Sequence, residues 1–274
     1  MAINPIHEEN YLTKTVVPEM PAIMGALEEA SEQYRARGRA QLDLAYGEGA
    51  RHKLDLFFPD GDDEAPALAV FIHGGYWRAR DRKGVSDLAR GLNAHGLPVA
   101  IPSYDLCPDV TIADIIVQMR KCMAFLWNSF HKPLILIGHS AGGHLTAAML
   151  TTNWAQQGAA DIEISGAFPI SGVFDVRPLA ETSLCSELNL TEETAFEVSP
   201  LFQIPTISTR LIACAGAEET KGFREQSQWL VDGWGEHIDD ISYQEIEGAN
   251  HFTILANLQN RDSDMVKQIV ALAP

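Results

Sequence analysis

Hydrophobic and polar positions along the chain follow two periods that take turns. Residues 4–40 are polar and helical in pattern, with Pro18 and Pro21 opening the segment ALEEASEQYRARG and Gly38 ending it. An N-terminal arm over residues 1–40, lying across the domain, is expected. Residues 41–46 (QLDLAY) and 52–58 (HKLDLFF) alternate apolar and polar around GEGA, the pattern of a hairpin of half-exposed strands. From there apolar stretches at 68–72, 97–101, 133–137 and 162–170 read as strands, the first of them apolar throughout, and further strands are expected at 209–215 and 241–246. Helical segments separate them at 87–94, 112–130, after residue 142, at 223–234 and at 262–273. Over 112–130 the spacing of Ile112, Ile115, Ile116, Met119, Met123, Phe125 and Leu126 gives one apolar face. Residues 174–206 break into short pieces rich in Glu, Ser, Thr and Pro, expected to be a small helical lid insertion. The fold class expected is α/β: one domain over 41–274, a mostly parallel eight-stranded sheet with helices on both faces. No internal repeat or low-complexity tract interrupts it.

One stretch carries more than fold. PLILIGHSAGGHLTAAML at 133–150 runs from an apolar strand through Gly138-His139-Ser140-Ala141-Gly142 into a helix with small residues on its near side. In a G-x-S-x-G turn of this kind the serine takes a strained conformation, and glycines on either side let strand and helix approach closely. Ser140 then stands at a helix N-terminus, where free N–H groups favour a developing anion.

Composition narrows the partners. The 274 residues carry a net charge of −17, with pI near 4.8 and mean hydropathy −0.06, the profile of a soluble domain with an ample core. A nucleic acid or an anionic membrane surface is not expected as a partner. A small-molecule substrate is, with room left for a homodimer. The opening MAINPIHEENYL has no basic and apolar leader pattern, and no apolar run is long enough to span a membrane, so a cytoplasmic location is expected. Cys107, Cys122, Cys185 and Cys214 are scattered and read as thiols, not as disulfides or a metal site. Neither a metal nor an organic cofactor is required by the chemistry below.

A serine hydroxyl needs a base, and the base an orienting acid. Among nine histidines, His251 stands in a loop after the last strand, where such a sheet delivers its functional side chains. His73 and His139 flank glycines and are expected to orient backbone. His144 is expected to be buried packing, and the remaining five to lie at the surface. The acid is expected after the preceding strand, where Glu218 and Glu219 both stand; spacing does not choose between them. Donors for an oxyanion are expected from the N–H of Ala141 and from Gly74 and Gly75, in the His73-Gly74-Gly75-Tyr76-Trp77 turn after an apolar strand. Tyr76 and Phe252 are the candidate substrate-binding residues, whereas Trp77 fits a structural role better.

Taken together, H-G-G-Y-W at 73–77, S-Y-D-L-C-P at 103–108, G-H-S-A-G-G-H-L at 138–145, E-T-x-x-F-x-x-Q-S at 219–227 and G-x-x-H-F at 248–252 resemble kynurenine formamidases (arylformamidases) and their bacterial relatives. These are α/β-hydrolases close to the hormone-sensitive-lipase type of esterase, and the order Ser, acid, His is theirs. The resemblance spans about residues 40 to 272. It implies an α/β-hydrolase fold and hydrolysis of N-formyl-L-kynurenine to kynurenine and formate by a Ser140–His251–acid triad. In that family the acid lies four positions before a phenylalanine and is usually aspartate, which implies Glu219, a glutamate in its stead. The motifs belong to the machinery and not to substrate choice, so a general carboxylesterase on small acyl esters is the alternative. A hydrolase-fold binding protein without turnover is the third.

Overall fold

Leu68–Ile72 (β3) is buried at all five positions, as a strand covered on both faces must be. The computed structural model describes residues 3–12, 17–37, 39–61 and 64–274. Seven more strands share its sheet: β1 (Ala40–Ala45), β2 (Lys53–Phe57), β4 (Val99–Pro102), β5 (Leu134–His139), β6 (Ile164–Ile170), β7 (Arg210–Gly216) and β8 (Ile241–Ile246). Their order is β1-β2-β4-β3-β5-β6-β7-β8. The β1/β2 and β2/β4 pairs are antiparallel and every other pair is parallel. All five strands from β3 rightward in that order therefore end on the same edge of the sheet, with Ile72, His139, Ile170, Gly216 and Ile246 in a row.

Period two sorts the core. Leu68, Val70 and Ile72 of β3 join one apolar cluster, with α3 (Ile112–Phe130), α4 (Ala141–Leu150) and α5 (Lys221–Trp234) against it. Before these in the chain lie α1 (Pro5–Tyr11) and α2 (Met20–Arg35). Ala69 and Phe71 point to the opposite cluster, covered by α2, the helical stretch from Arg82 to Asn93, and α6 (Asp264–Val270). α3 spans the predicted 112–130 and starts at a capping box, Thr111 with Asp114.

Three expectations shift. The hairpin is not half-exposed throughout: Leu54, Asp55, Leu56 and Phe57 of β2 are buried, because β4 pairs along its other edge. The polar position in its alternation, Asp55, is neutralised inside, by Arg35 of α2 and by Arg82 Nε at 3.1 Å. The helix expected at 87–94 begins earlier, as a 3-10 turn at Arg82–Ala89 continued by Arg90–Asn93, because the Asp81 side chain caps Lys83 N at 2.8 Å. The closing helix expected at 262–273 is shorter, confined to α6 and capped by Ser263, with a separate short helix at Ala256–Gln259 before it. Gly38, expected to end the arm helix, lies outside the described residues, as do residues 13–16. Residues 174–206 contain short helical pieces, Arg177–Glu181, Cys185–Leu188, Glu192–Glu197 and Pro200–Phe202. No helix among the described residues is long and apolar enough to cross a membrane. All four cysteines are free thiols.

Candidate active site

The turn between β5 and α4 has no spare room. A Cβ on Gly138 would stand 2.1 Å from the Gly142 carbonyl oxygen, and one on Gly142 would stand 1.9 Å from that of Ile72. Helix and strand thus meet backbone to backbone, which only glycine allows. Between them Ser140 is driven to φ 56°, ψ −118°, a conformation rare for a residue with a side chain. It is followed at once by the first helical residue, Ala141.

Beside it lies the turn after β3. Gly74 abuts the serine: a Cβ there would be 2.8 Å from the His139 carbonyl oxygen and 3.0 Å from Ser140 Cβ. Gly75 has φ +113°, and Tyr76 and Trp77 follow at +51° and +54°. Buried hydrogen bonds hold this strained run. His73 Nδ1 donates to the Gly74 carbonyl at 2.8 Å. The His73 ring stacks on Tyr104 at 4.4 Å, whose hydroxyl donates to the His73 carbonyl at 2.8 Å. Among the described residues, the N–H groups of Gly74, Gly75 and Ala141 have no protein acceptor; Gly74 abuts Ser140 and Ala141 follows it directly.

His251 lies after β8, in a short loop whose backbone is pinned by Asn250 and Thr253. Its Nδ1 donates to Glu219 Oε2 at 2.6 Å. A proton fixed on Nδ1 leaves the lone pair on Nε2. The other oxygen, Oε1, accepts from Ser171 Oγ and from Gly216 N, both at 2.6 Å. Glu219 follows the end of β7 and is buried, while its neighbour Glu218 is exposed. His139 steadies the histidine loop from the serine side, donating from Nε2 to the His251 carbonyl at 2.7 Å, ring to ring at 4.7 Å. Burial and the nearby His251 keep His139 well below the ordinary histidine range, and burial lowers His73 to about 4. Both are neutral near pH 7, which fits orientation of backbone.

Ser140, His251, Gly74, Gly75, Tyr76 and Phe252 all face one cavity of about 180 Å³. Its other walls are mostly apolar: Met20 and Met24 of α2, Phe71, Val85 and Leu255, with Arg78 and Arg80. Ala141 and Glu219 lie behind this wall. No residue of 174–206 lines the cavity; the segment reaches its rim through Glu187, which pairs with Arg78. The Tyr76 hydroxyl donates to the Tyr11 carbonyl, while Trp77 is fully buried edge-on to His144 at 5.0 Å. His144 itself donates to the Val198 carbonyl. Sequence reasoning passed over Ser171, Arg80 and the two methionines. Ser171, closing an apolar strand one place along from the serine strand, carried a readable signal; the others depend on how α2 folds back.

A mostly parallel eight-stranded sheet, with a serine turn after β5, an acid after β7 and a histidine after β8, defines an α/β-hydrolase. A family model described as BD-FAE matches residues 54–204, more than half of the chain, and the chain belongs to that family. It is similar to the kynurenine formamidase of Salmo salar, 29% identical over 90% of this chain and 86% of that one. The kynurenine formamidase of Danio rerio is 27% identical over 92% and 88%. A solved structure from Silicibacter sp. TM1040, of a protein provisionally described as a thioesterase, superposes with TM-score 0.88 at 34% identity, covering 96% of this chain and 98% of that one. The chain is a kynurenine formamidase-like hydrolase enzyme.

Proposed function

We propose that this enzyme hydrolyses a small aryl formamide, N-formyl-L-kynurenine to kynurenine and formate, with Ser140 as nucleophile, His251 as base and Glu219 as acid partner. The observation that carries the reading is the buried His251–Glu219 hydrogen bond on the wall of the cavity that holds Ser140. The similarity to kynurenine formamidases over nine-tenths of the chain supports the substrate.

In the proposed reaction His251 Nε2 takes the Ser140 hydroxyl proton as Oγ bonds to the formyl carbon. The carbonyl pair moves onto oxygen, and the free N–H groups of Gly74, Gly75 and Ala141 receive that charge. Each such donor is worth roughly 3 kcal/mol of barrier. Collapse breaks the C–N bond, His251 returns the proton to the departing aryl amine, and a formyl-serine remains. Water, deprotonated by the same nitrogen, then displaces Ser140 and formate leaves. Glu219 stays ionised throughout, holding the tautomer and the imidazolium. The apolar walls from Met20, Met24, Phe71 and Phe252 suit an aromatic ring.

Labelling with a fluorophosphonate, followed by peptide mass spectrometry, tests the nucleophile. The adduct is expected on Ser140 and is expected to vanish in Ser140→Ala. An unreacted wild type would refute the triad.

A further inference from the structure

Resting on the formamidase reading, we infer that Arg80 selects substrates that carry a carboxylate, taking the carboxylate of the zwitterionic amino-acid tail of an aryl formamide whose formyl end lies at Ser140. The cavity asks for such a residue and is built around it. No aspartate or glutamate lines it among the described residues, whereas Arg78 and Arg80 both do.

Arg80 is placed with care. Its backbone is held at φ +73°, a conformation costly for arginine, and its carbonyl accepts from Arg51 Nη2 at 2.5 Å. Its stem runs against the glycine turn, Cγ standing 3.4 Å from where a Cβ on Gly75 would be. The guanidinium thus forms the partition between the cavity and an outer polar groove that Arg80 also lines. On the groove side Nη1 meets Glu28 Oε1 at 2.8 Å; Glu28 lines the groove and not the cavity, and its side chain is 57% exposed. On the other side, among the described residues, Nη2 meets only the Met20 sulfur, at 3.9 Å, a weak acceptor. A planar fork matched to carboxylate on one edge and to a thioether on the other is a half-filled site, which a substrate carboxylate completes. Its charge already reaches the site, contributing to the depression of His139 and His73. Arg78, paired with Glu187, stands on the same wall as a second and more committed cation.

The test compares two formamides on the wild type, Arg80→Gln and Arg80→Lys: N-formyl-L-kynurenine, and ortho-formamidoacetophenone, the same aryl formamide without the amino-acid tail. Arg80→Gln is expected to lower kcat/KM on the acid roughly tenfold to a hundredfold more than on the neutral formamide, mostly through KM, and Arg80→Lys to recover part of it. Activity on the neutral formamide also reports that the variants are folded. Equal losses on both substrates, or no selective loss, would overturn the assignment of Arg80 while leaving the formamidase reading standing. A wild type that cleaves neither formamide would overturn both.

Discussion

The Ser171 hydroxyl donates to Glu219 Oε1 at 2.6 Å, and both side chains are out of contact with water. Ser171 sits just past β6 with φ +51°, much as Ser140 sits just past β5 with φ 56°. With Gly216 N it occupies the oxygen that His251 does not use, so the carboxylate has one orientation open to it. Ser171 is therefore proposed to act through Glu219 as a positioning residue. Ser171→Ala is expected to lower kcat roughly tenfold with KM little changed, the loss of about one hydrogen bond to a charged group. Steady-state kinetics checks this; a rise in KM at constant kcat would contradict it.

Two glycine substitutions are expected to move stability in opposite directions. Gly142→Ala puts a methyl 1.9 Å from the Ile72 carbonyl oxygen, at a crossing of two backbones that cannot part, and is expected to cost about 3 kcal/mol or more. Gly25 lies within α2 with nothing within 4 Å of an added Cβ. Gly25→Ala is expected to stabilise by roughly 0.5 to 1 kcal/mol through helix propensity. Urea unfolding of both variants reads the signs directly.

Asp55 joins α2 to the sheet. Its fully buried carboxylate meets Arg35 and Arg82, and accepts Asp43 N at 2.8 Å. Removing it leaves Arg35 without its carboxylate partner beside a buried gap, while Arg82 keeps Asp43. Asp55→Ala is expected to cost roughly 3 to 5 kcal/mol. Because α2 also supplies Met20 and Met24 to the cavity, activity is expected to fall below the concentration of denaturant that unfolds the rest. Coincident loss of activity and of helical circular dichroism would contradict that coupling.

Acid is expected to unfold the protein through its buried histidines. Burial holds His73 and His144 at about 4 and drives His139 well below 6.5, whereas each titrates near 6.5 in the unfolded chain. Below 6.5 the unfolded state binds more protons, so stability falls as pH drops from 6.5 toward 4, and these groups give no slope above 6.5. Each contributes about 1.4 kcal/mol per pH unit in that window. Thermal melts between pH 7 and 4.5 are expected to show a steep decline below 6. A flat profile would mean that these rings are solvated.

Much of this architecture was legible because buried parallel strands are written as unbroken apolar runs. β3 and α3 fall at their predicted bounds, as does the partly exposed β8 despite its mixed sequence, and Gly138 and Gly142 announce the serine turn by the absence of side chains. β2 was less legible: an aspartate in an alternating strand reads as facing water until the arginines that neutralise it are known, and these come from distant segments. The choice between Glu218 and Glu219 was equally beyond spacing, since adjacent residues after a strand point to opposite sides. The resemblance implies Glu219, and the turn that exposes Glu218 and buries Glu219 against His251 separates them physically. The contribution of α2 to the cavity wall depends on the arm folding back over Phe71 and Val85, which no local pattern in residues 20–35 records.

The most direct test of the central claim is kcat/KM on N-formyl-L-kynurenine and on p-nitrophenyl acetate, with Ser140→Ala as the blank. The account predicts turnover of the formamide with a strong preference over the ester, and a blank at least about a thousandfold lower. Turnover of the ester alone would contradict the formamidase reading and make the enzyme a carboxylesterase; wild type equal to the blank on both would contradict the proposed chemistry of Ser140 itself.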